Sequence, residues 1–184
     1  MRCEKLNIQF GFGHEKIDIE LPEEQVVSVL KPNHVSIELT GTKEVNRSLC
    51  APIGSERLYN IVKPGQKVVI ITSDITRPLP SYKIIPSILE EVNDAGVEDK
   101  DIEVVFSLGS HRRHTEEEKR KLVGDNVYNR VSCIDSTSND CIRLGVTSQG
   151  TPVDIFRPVA EADVRICVGN IEYHYFAGYS GGAK

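Results

Sequence analysis

Three short apolar runs, residues 67–72, 102–107 and 164–168, constrain the fold more than any other feature of the chain. Each is rich in β-branched side chains and each is followed at once by polar, turn-forming residues, the pattern of strands buried on both faces of a sheet. Between them lie helical segments, residues 81–95 and 115–123, the second with Thr115 as N-cap and Glu118 completing a capping box. Pro86 falls inside the first segment and blurs its boundary. Strand and helix in alternation predict an α/β fold, a mostly parallel sheet flanked by helices. Residues 4–10 and 15–20 alternate apolar and polar side chains around Gly11-Phe-Gly13 and predict an N-terminal antiparallel β-hairpin.

Elsewhere the pattern is weaker. Thr42 is a candidate cap for a short helix, residues 52–55 a second helix start, and residues 130–133, 142–144 and 153–156 shorter strand candidates. No internal repeat, low-complexity tract or linker interrupts the 184 residues, which predicts a single domain over 1–184.

In parallel sheets ligands bind outside the carboxyl ends of the strands, so the residues after each run decide what the domain can do. After the first comes Ser73-Asp74-Ile-Thr76-Arg77-Pro78; after the second, Gly109-Ser-His111-Arg112-Arg113-His114; after the third, Gly169-Asn-Ile-Glu-Tyr173-His174. Parallel pairing would gather Asp74, Arg77, His111 and His174 at one rim. Asp74, Thr76 and Arg77 offer a carboxylate, a hydroxyl and a guanidinium whose fork can hold a substrate carboxylate or phosphate. His111 supplies an imidazole suited to proton transfer near neutral pH. The spacing His111-x-x-His114 also occurs in metal sites, but no third ligand accompanies it, so no metal ligand is assigned.

The chain ends in His174-Tyr-Phe-Ala-Gly-Tyr-Ser180-Gly181-Gly182-Ala-Lys184. Backbone N–H groups of Ser180, Gly181 and Gly182 can face an anion, and Lys184 adds an amine able to act as charge, base or nucleophile. This is not a Walker loop, because Ala183 stands where that motif requires glycine.

A net charge of −5 with both signs interspersed gives no footprint for nucleic acid or an anionic membrane. The N-terminus lacks the apolar core of a signal peptide and no run approaches bilayer-spanning length, so the expected location is the cytoplasm. Five cysteines without Cys-x-x-Cys spacing predict free, mostly buried thiols. A homo-oligomer is compatible with the sequence.

Taken in order, Asp74-x-Thr-Arg-Pro78, Gly109-x-His-Arg112 and His174-x-x-Ala-Gly-x-Ser-Gly-Gly-x-Lys184 resemble the signature blocks of the nickel-pincer-dependent lactate racemase family, in its N-terminal domain. The resemblance implies the N-terminal domain of a two-domain enzyme, an isomerase that racemises or epimerises a small-molecule 2-hydroxy acid. It implies a cofactor, the nickel-pincer nucleotide (pyridinium-3,5-bisthiocarboxylic acid mononucleotide nickel), covalently attached to Lys184. His111 and His174 would be the catalytic acid/base pair, Arg77 the substrate-binding group, and Asp74, Thr76, Ser180, Gly181 and Gly182 the cofactor-binding set. The resemblance also implies the mechanism: the α-hydrogen leaves as hydride while a histidine takes the hydroxyl proton, and return to the other face inverts the centre. The family's protein ligand to nickel lies after the tether lysine, and its second α/β domain is absent from this chain, so the segment by itself is expected to be inactive. Arg113 stands where the family often has proline, and Tyr173 where a smaller residue is usual. The alternative function is a non-catalytic phosphate- or nucleotide-binding module built on the glycine turn.

Overall fold

Alternating side chains at the start of the chain do form the expected hairpin, β1 (Lys5–Phe12) and β2 (Glu15–Pro22), paired antiparallel in unbroken register from Lys5 opposite Pro22 to Phe12 opposite Glu15. The structure, a computed structural model, describes residues 5–31, 33–77 and 79–181, and the chain divides into two compact units, residues 1–38 and 39–184. Within the first, Gly13 takes the positive φ that closes the turn. Lys5 pairs with Glu20 across the ladder.

The second unit begins with α1 (Thr42–Cys50) and α2 (Leu58–Ile61). Thr42 is the first helical residue and not the cap: Gly41, at φ 59°, occupies that position without a side-chain bond. The start expected at residues 52–55 lies later, at Leu58. What holds α2 is electrostatic. Arg57 grips the buried Glu91 with two hydrogen bonds of 3.1 and 2.8 Å, and Tyr59 N–H adds a third at 3.3 Å. That grip holds the Glu91 carboxyl below its ordinary range, against the opposing effect of burial.

Then follow β3 (Val68–Ser73), α3 (Ser81–Asp94), β4 (Ile102–Ser107), α4 (Glu116–Val123), α5 (Asp125–Arg130), β5 (Ser132–Asp135), β6 (Cys141–Val146), β7 (Pro152–Phe156), α6 (Arg157–Glu161) and β8 (Val164–Cys167). β9 (Glu172–His174) and β10 (Gly178–Ser180) close the described chain. Four strands form one parallel sheet in the order β5-β4-β3-β8. β6 and β7 pair with each other, antiparallel. Helix α3 runs through Pro86 because Ile85, Leu89 and Val92 bury completely on the sheet, which outweighs the missing N–H.

Period-two alternation in β3 sends Val68 and Ile70 into the main core, shared with α3, α4 and α5, and Val69 into a smaller cluster with Val105, Ala162 and Val159. The main core lies on one face and α6 covers the other. β3 and β4 are buried on both faces as expected, whereas β8 is an edge strand in which alternate residues are half-buried and the others exposed. That edge also corrects the expectation for the thiols. Cys167 points outward from β8 and is exposed, Cys50 is exposed, Cys133 and Cys141 are half-buried, and Cys3 lies outside the described residues. Burial pushes the Cys133 thiol up to about 11, which makes it a poor nucleophile.

The predicted capping box is present. Thr115 accepts from Glu118 N–H at 3.2 Å and Glu118 accepts from Thr115 N–H at 2.9 Å. Replacing Thr115 with alanine should therefore cost about 0.5–2 kcal/mol in denaturant unfolding, with little change in the slope.

Candidate active site

β3 runs straight into a turn that its own side chains close. Asp74, 4% exposed, accepts on Oδ1 from Thr76 N–H at 2.8 Å and from Thr76 Oγ1 at 2.6 Å, and its carbonyl accepts from Arg77 N–H at 3.2 Å. Its other oxygen, Oδ2, accepts from His111 Nδ1. Burial alone would raise the Asp74 carboxyl, but the bonds from Thr76 and His111 outweigh it and hold the group below its ordinary value. A carboxylate only accepts, so Nδ1 of His111 carries a proton, and in the neutral ring Nε2 is bare. The His111 side chain is 41% exposed, so that nitrogen is accessible.

The loop that carries His111 is tied on both sides. His111 N–H bonds the Leu108 carbonyl at 3.0 Å across Gly109, which takes φ 59°, and Leu108 N–H bonds Ser136 Oγ at 3.0 Å. Arg112 meets Glu118 through two bonds of 2.8 and 2.6 Å, so this arginine anchors the loop to the start of α4 and is not available to a substrate. Arg112 and the Thr115 N–H lower the Glu118 carboxyl from 4.5 to about 2. A depressed carboxylate stabilises the fold above its unfolded value, and that contribution is lost as pH falls from about 4.5 towards 2. The decline in thermal midpoint over that window should accordingly be shallower in Glu118→Gln than in the wild type.

Arg77 shares the Asp74 turn but stands exposed, and among the described residues no hydrogen bond or ion pair reaches its guanidinium. His174 stands at the end of β9, and its Nδ1 accepts from Phe176 N–H at 3.4 Å and Ala177 N–H at 3.2 Å. In the neutral ring the proton is then on Nε2, the reverse of His111. Around it the hairpin is aromatic: Tyr175 stacks on the His174 ring at 4.9 Å and Phe176 meets it edge-on.

Where the expected rim is concerned, the structure joins Asp74, Thr76 and His111 by direct bonds and holds Arg77 in the same turn. His174 is not bonded to any of them. The sheet's connectivity nonetheless puts its segment at the same end: β3 leads to β4 across one face, β8 is reached across the other, and their neighbouring carboxyl ends flank the reversal of strand order. Ser180 lies in β10, so the stretch read as a flexible glycine turn is in part a β-hairpin. Gly181 has φ 95°, and a Cβ there would sit 1.8 Å from the Asn170 carbonyl, so this strand runs hard against the loop that leaves β8. Gly182 and Lys184 lie outside the described residues.

Two further groups stand below the site: His114, which the sequence raised only as a candidate metal ligand and left unassigned, and Asp135, which it did not single out. His114 is buried beneath the Asp74 turn and Asp135 ends β5, and the two are bonded. The only signal was that Asp135, like Asp74, closes a strand at its carboxyl end. A cavity of about 300 Å³ opens at the opposite, amino-terminal end of the sheet beside Lys67, Glu103 and Arg157, remote from all these groups. Among the described residues there is no cluster of three or more histidine, cysteine or acidic side chains able to hold a metal, and no helix is long and apolar enough to cross a membrane.

The parallel sheet makes this an α/β domain, with a carboxylate-held imidazole and an exposed guanidinium at its carboxyl end, where sheets of this class bind ligands. The family model for the lactate racemase N-terminal domain matches residues 12–184, and the chain belongs to that family. It is 32% identical to a lactate racemase of Thermoanaerobacterium thermosaccharolyticum over 97% of this chain and 43% of that protein, and 35% identical to a lactate racemase of Lactiplantibacillus plantarum over 80% and 35%. The solved structure of the lactate racemase apoprotein from T. thermosaccharolyticum superposes with a TM-score of 0.82 at 31% identity, covering 96% of this chain and 42% of that one. The chain thus spans less than half the length of these relatives.

Proposed function

We propose that this chain is the N-terminal domain of a 2-hydroxyacid racemase or epimerase that uses a lysine-tethered nickel-pincer nucleotide, with lactate or a close relative as substrate. The observation that carries the reading is the Asp74–His111 pair at the carboxyl end of the sheet, where a buried carboxylate holds a half-exposed imidazole by Nδ1. In the neutral ring Nε2 of His111 is free to accept a proton, and either histidine can give one up once it has become imidazolium. A reaction that must run from either enantiomer needs both capacities around one carbon.

Arg77 holds the substrate carboxylate through its exposed guanidinium fork. Acting as base, His111 takes the hydroxyl proton at Nε2, and the imidazolium so formed is stabilised by Asp74 at Nδ1. To take the equivalent part for the other enantiomer, His174 would release Nδ1 from the Phe176 and Ala177 amides and shift its proton there, which bares Nε2. What the nickel-pincer nucleotide supplies when bound is a hydride acceptor, a chemistry no side chain offers. The residues present fit such a group: Arg77 can meet an anionic substituent, Thr76 and Asp74 hold the turn that presents it, and Gly181 lies against Asn170 in the loop that leaves β8. By itself the chain is expected to racemise nothing.

The test is mass spectrometry of the Lys184 peptide from a full-length protein carrying this sequence, incubated with the cofactor and assayed for conversion of enantiopure lactate. A covalent adduct with racemisation is the expected result. An unmodified lysine would favour a module that binds a phosphate or nucleotide without catalysis.

A further inference from the structure

We infer that His114 and Asp135 form a buried brace that positions the Asp74–His111 pair, acting through the backbone of Ile75. The brace spans the carboxyl ends of three neighbouring strands. Asp135, at the end of β5, accepts from both His114 N–H at 2.9 Å and His114 Nδ1 at 2.6 Å. On the far side of the same ring, Nε2 accepts from Ile75 N–H at 3.1 Å. The side chains of His114 and Asp135 are 1% and 8% exposed, and Phe106 packs edge-on against the imidazole.

Chemistry sets the direction of every bond in this chain. The Ile75 N–H can only donate, so Nε2 of His114 is unprotonated; Nδ1 then carries the proton and gives it to the Asp135 carboxylate. Ile75 sits between Asp74 and Thr76, whose mutual bonds aim the Asp74 carboxylate at His111. Fixing the Ile75 amide therefore fixes the turn from beneath. His114 meets the turn through the Ile75 amide and is not bonded to the His111 ring; it is a positioning residue. Its importance for turnover rests on the racemase reading, whereas its effect on the His111 ring does not.

Two replacements separate positioning from packing. In His114→Gln the side-chain oxygen can reach the place of Nε2 and still accept from Ile75. In His114→Asn the amide can still donate to Asp135, but nothing reaches Ile75. Asp135→Asn serves as a third variant: the two His114 donors meet different carboxylate oxygens, an amide puts an NH2 in one of those places, and the ring is left free to reverse its tautomer and lose Ile75.

The readout is the tautomer of His111, followed in the chain by long-range ¹H–¹⁵N spectra of its ring, assigned by the signal missing from His111→Ala. Wild type and His114→Gln should keep the Nδ1–H form. His114→Asn and Asp135→Asn should lose it in favour of the Nε2–H form while amide spectra remain dispersed. If His114→Asn does not fold, Asp135→Asn carries the comparison with His114→Gln. A folded His114→Asn or Asp135→Asn with an unchanged His111 signature would overturn the inference, as would equal loss in His114→Gln. No turnover is measured, so a failure of the racemase reading leaves this result standing.

Discussion

Replacing His111 with alanine, in a full-length protein carrying this sequence, is expected to lower 2-hydroxyacid racemisation by on the order of 10²–10⁴-fold, the usual contribution of a positioned acid/base group. The size of the effect follows from geometry. Nε2 is the accessible end of a ring whose other nitrogen is spent on Asp74, so no second orientation can take over the work. The fold should tolerate the change, because the side chain is 41% exposed and its polar contacts are confined to Asp74 and Thr76. A chiral assay against lactate, run beside a thermal melt, separates lost chemistry from lost structure. The same assay on His174→Ala should show a comparable loss, since the proposed mechanism uses each histidine as base for one enantiomer and as acid for the other.

The second large effect is on stability. Phe106→Ala should destabilise the domain by about 3–5 kcal/mol, a large part of the ~5–15 kcal/mol that holds a typical domain together. Phe106 is wholly buried in β4, between β3 and β5, and its ring meets that of His114 at 5.1 Å. Truncation would open a cavity directly under the brace, and the neighbouring strands cannot close it without breaking their pairing. Denaturant unfolding measures the loss. Phe106→Leu, which fills most of the volume, should recover the greater part of it.

Local signals account for most of what could be read without coordinates. The runs that became β3, β4 and β8 are located to within a residue, because β-branched stretches flanked by turn residues have few other uses. Thr115 and Glu118 are three residues apart, and so is everything their box requires. The hairpin of β1 and β2 is written in its alternation. What could not be read depends on distant partners. Helix α2 forms around Arg57 because Glu91, 34 positions away, lies beneath it, which no window near residue 55 contains. The exposed Cys167 follows from β8 being an edge, a property of strand order and not of the strand's own residues. At the site, Asp74 and His111 could be singled out but not their bond across 37 positions. Asp135 was invisible for the same reason: only the pairing of Asp135 with Phe106 in the sheet brings it beside His114.

The central claim is that Asp74 holds His111 with Nε2 ready for a proton, and Asp74→Asn addresses it most directly. An amide in that position can turn an N–H towards Nδ1, which forces the proton onto Nε2 and removes the base without moving the ring. Racemisation measured from each lactate enantiomer should fall by on the order of 10²–10⁴-fold while the thermal melt stays cooperative. Turnover equal to the wild type in a folded Asp74→Asn protein would contradict the account.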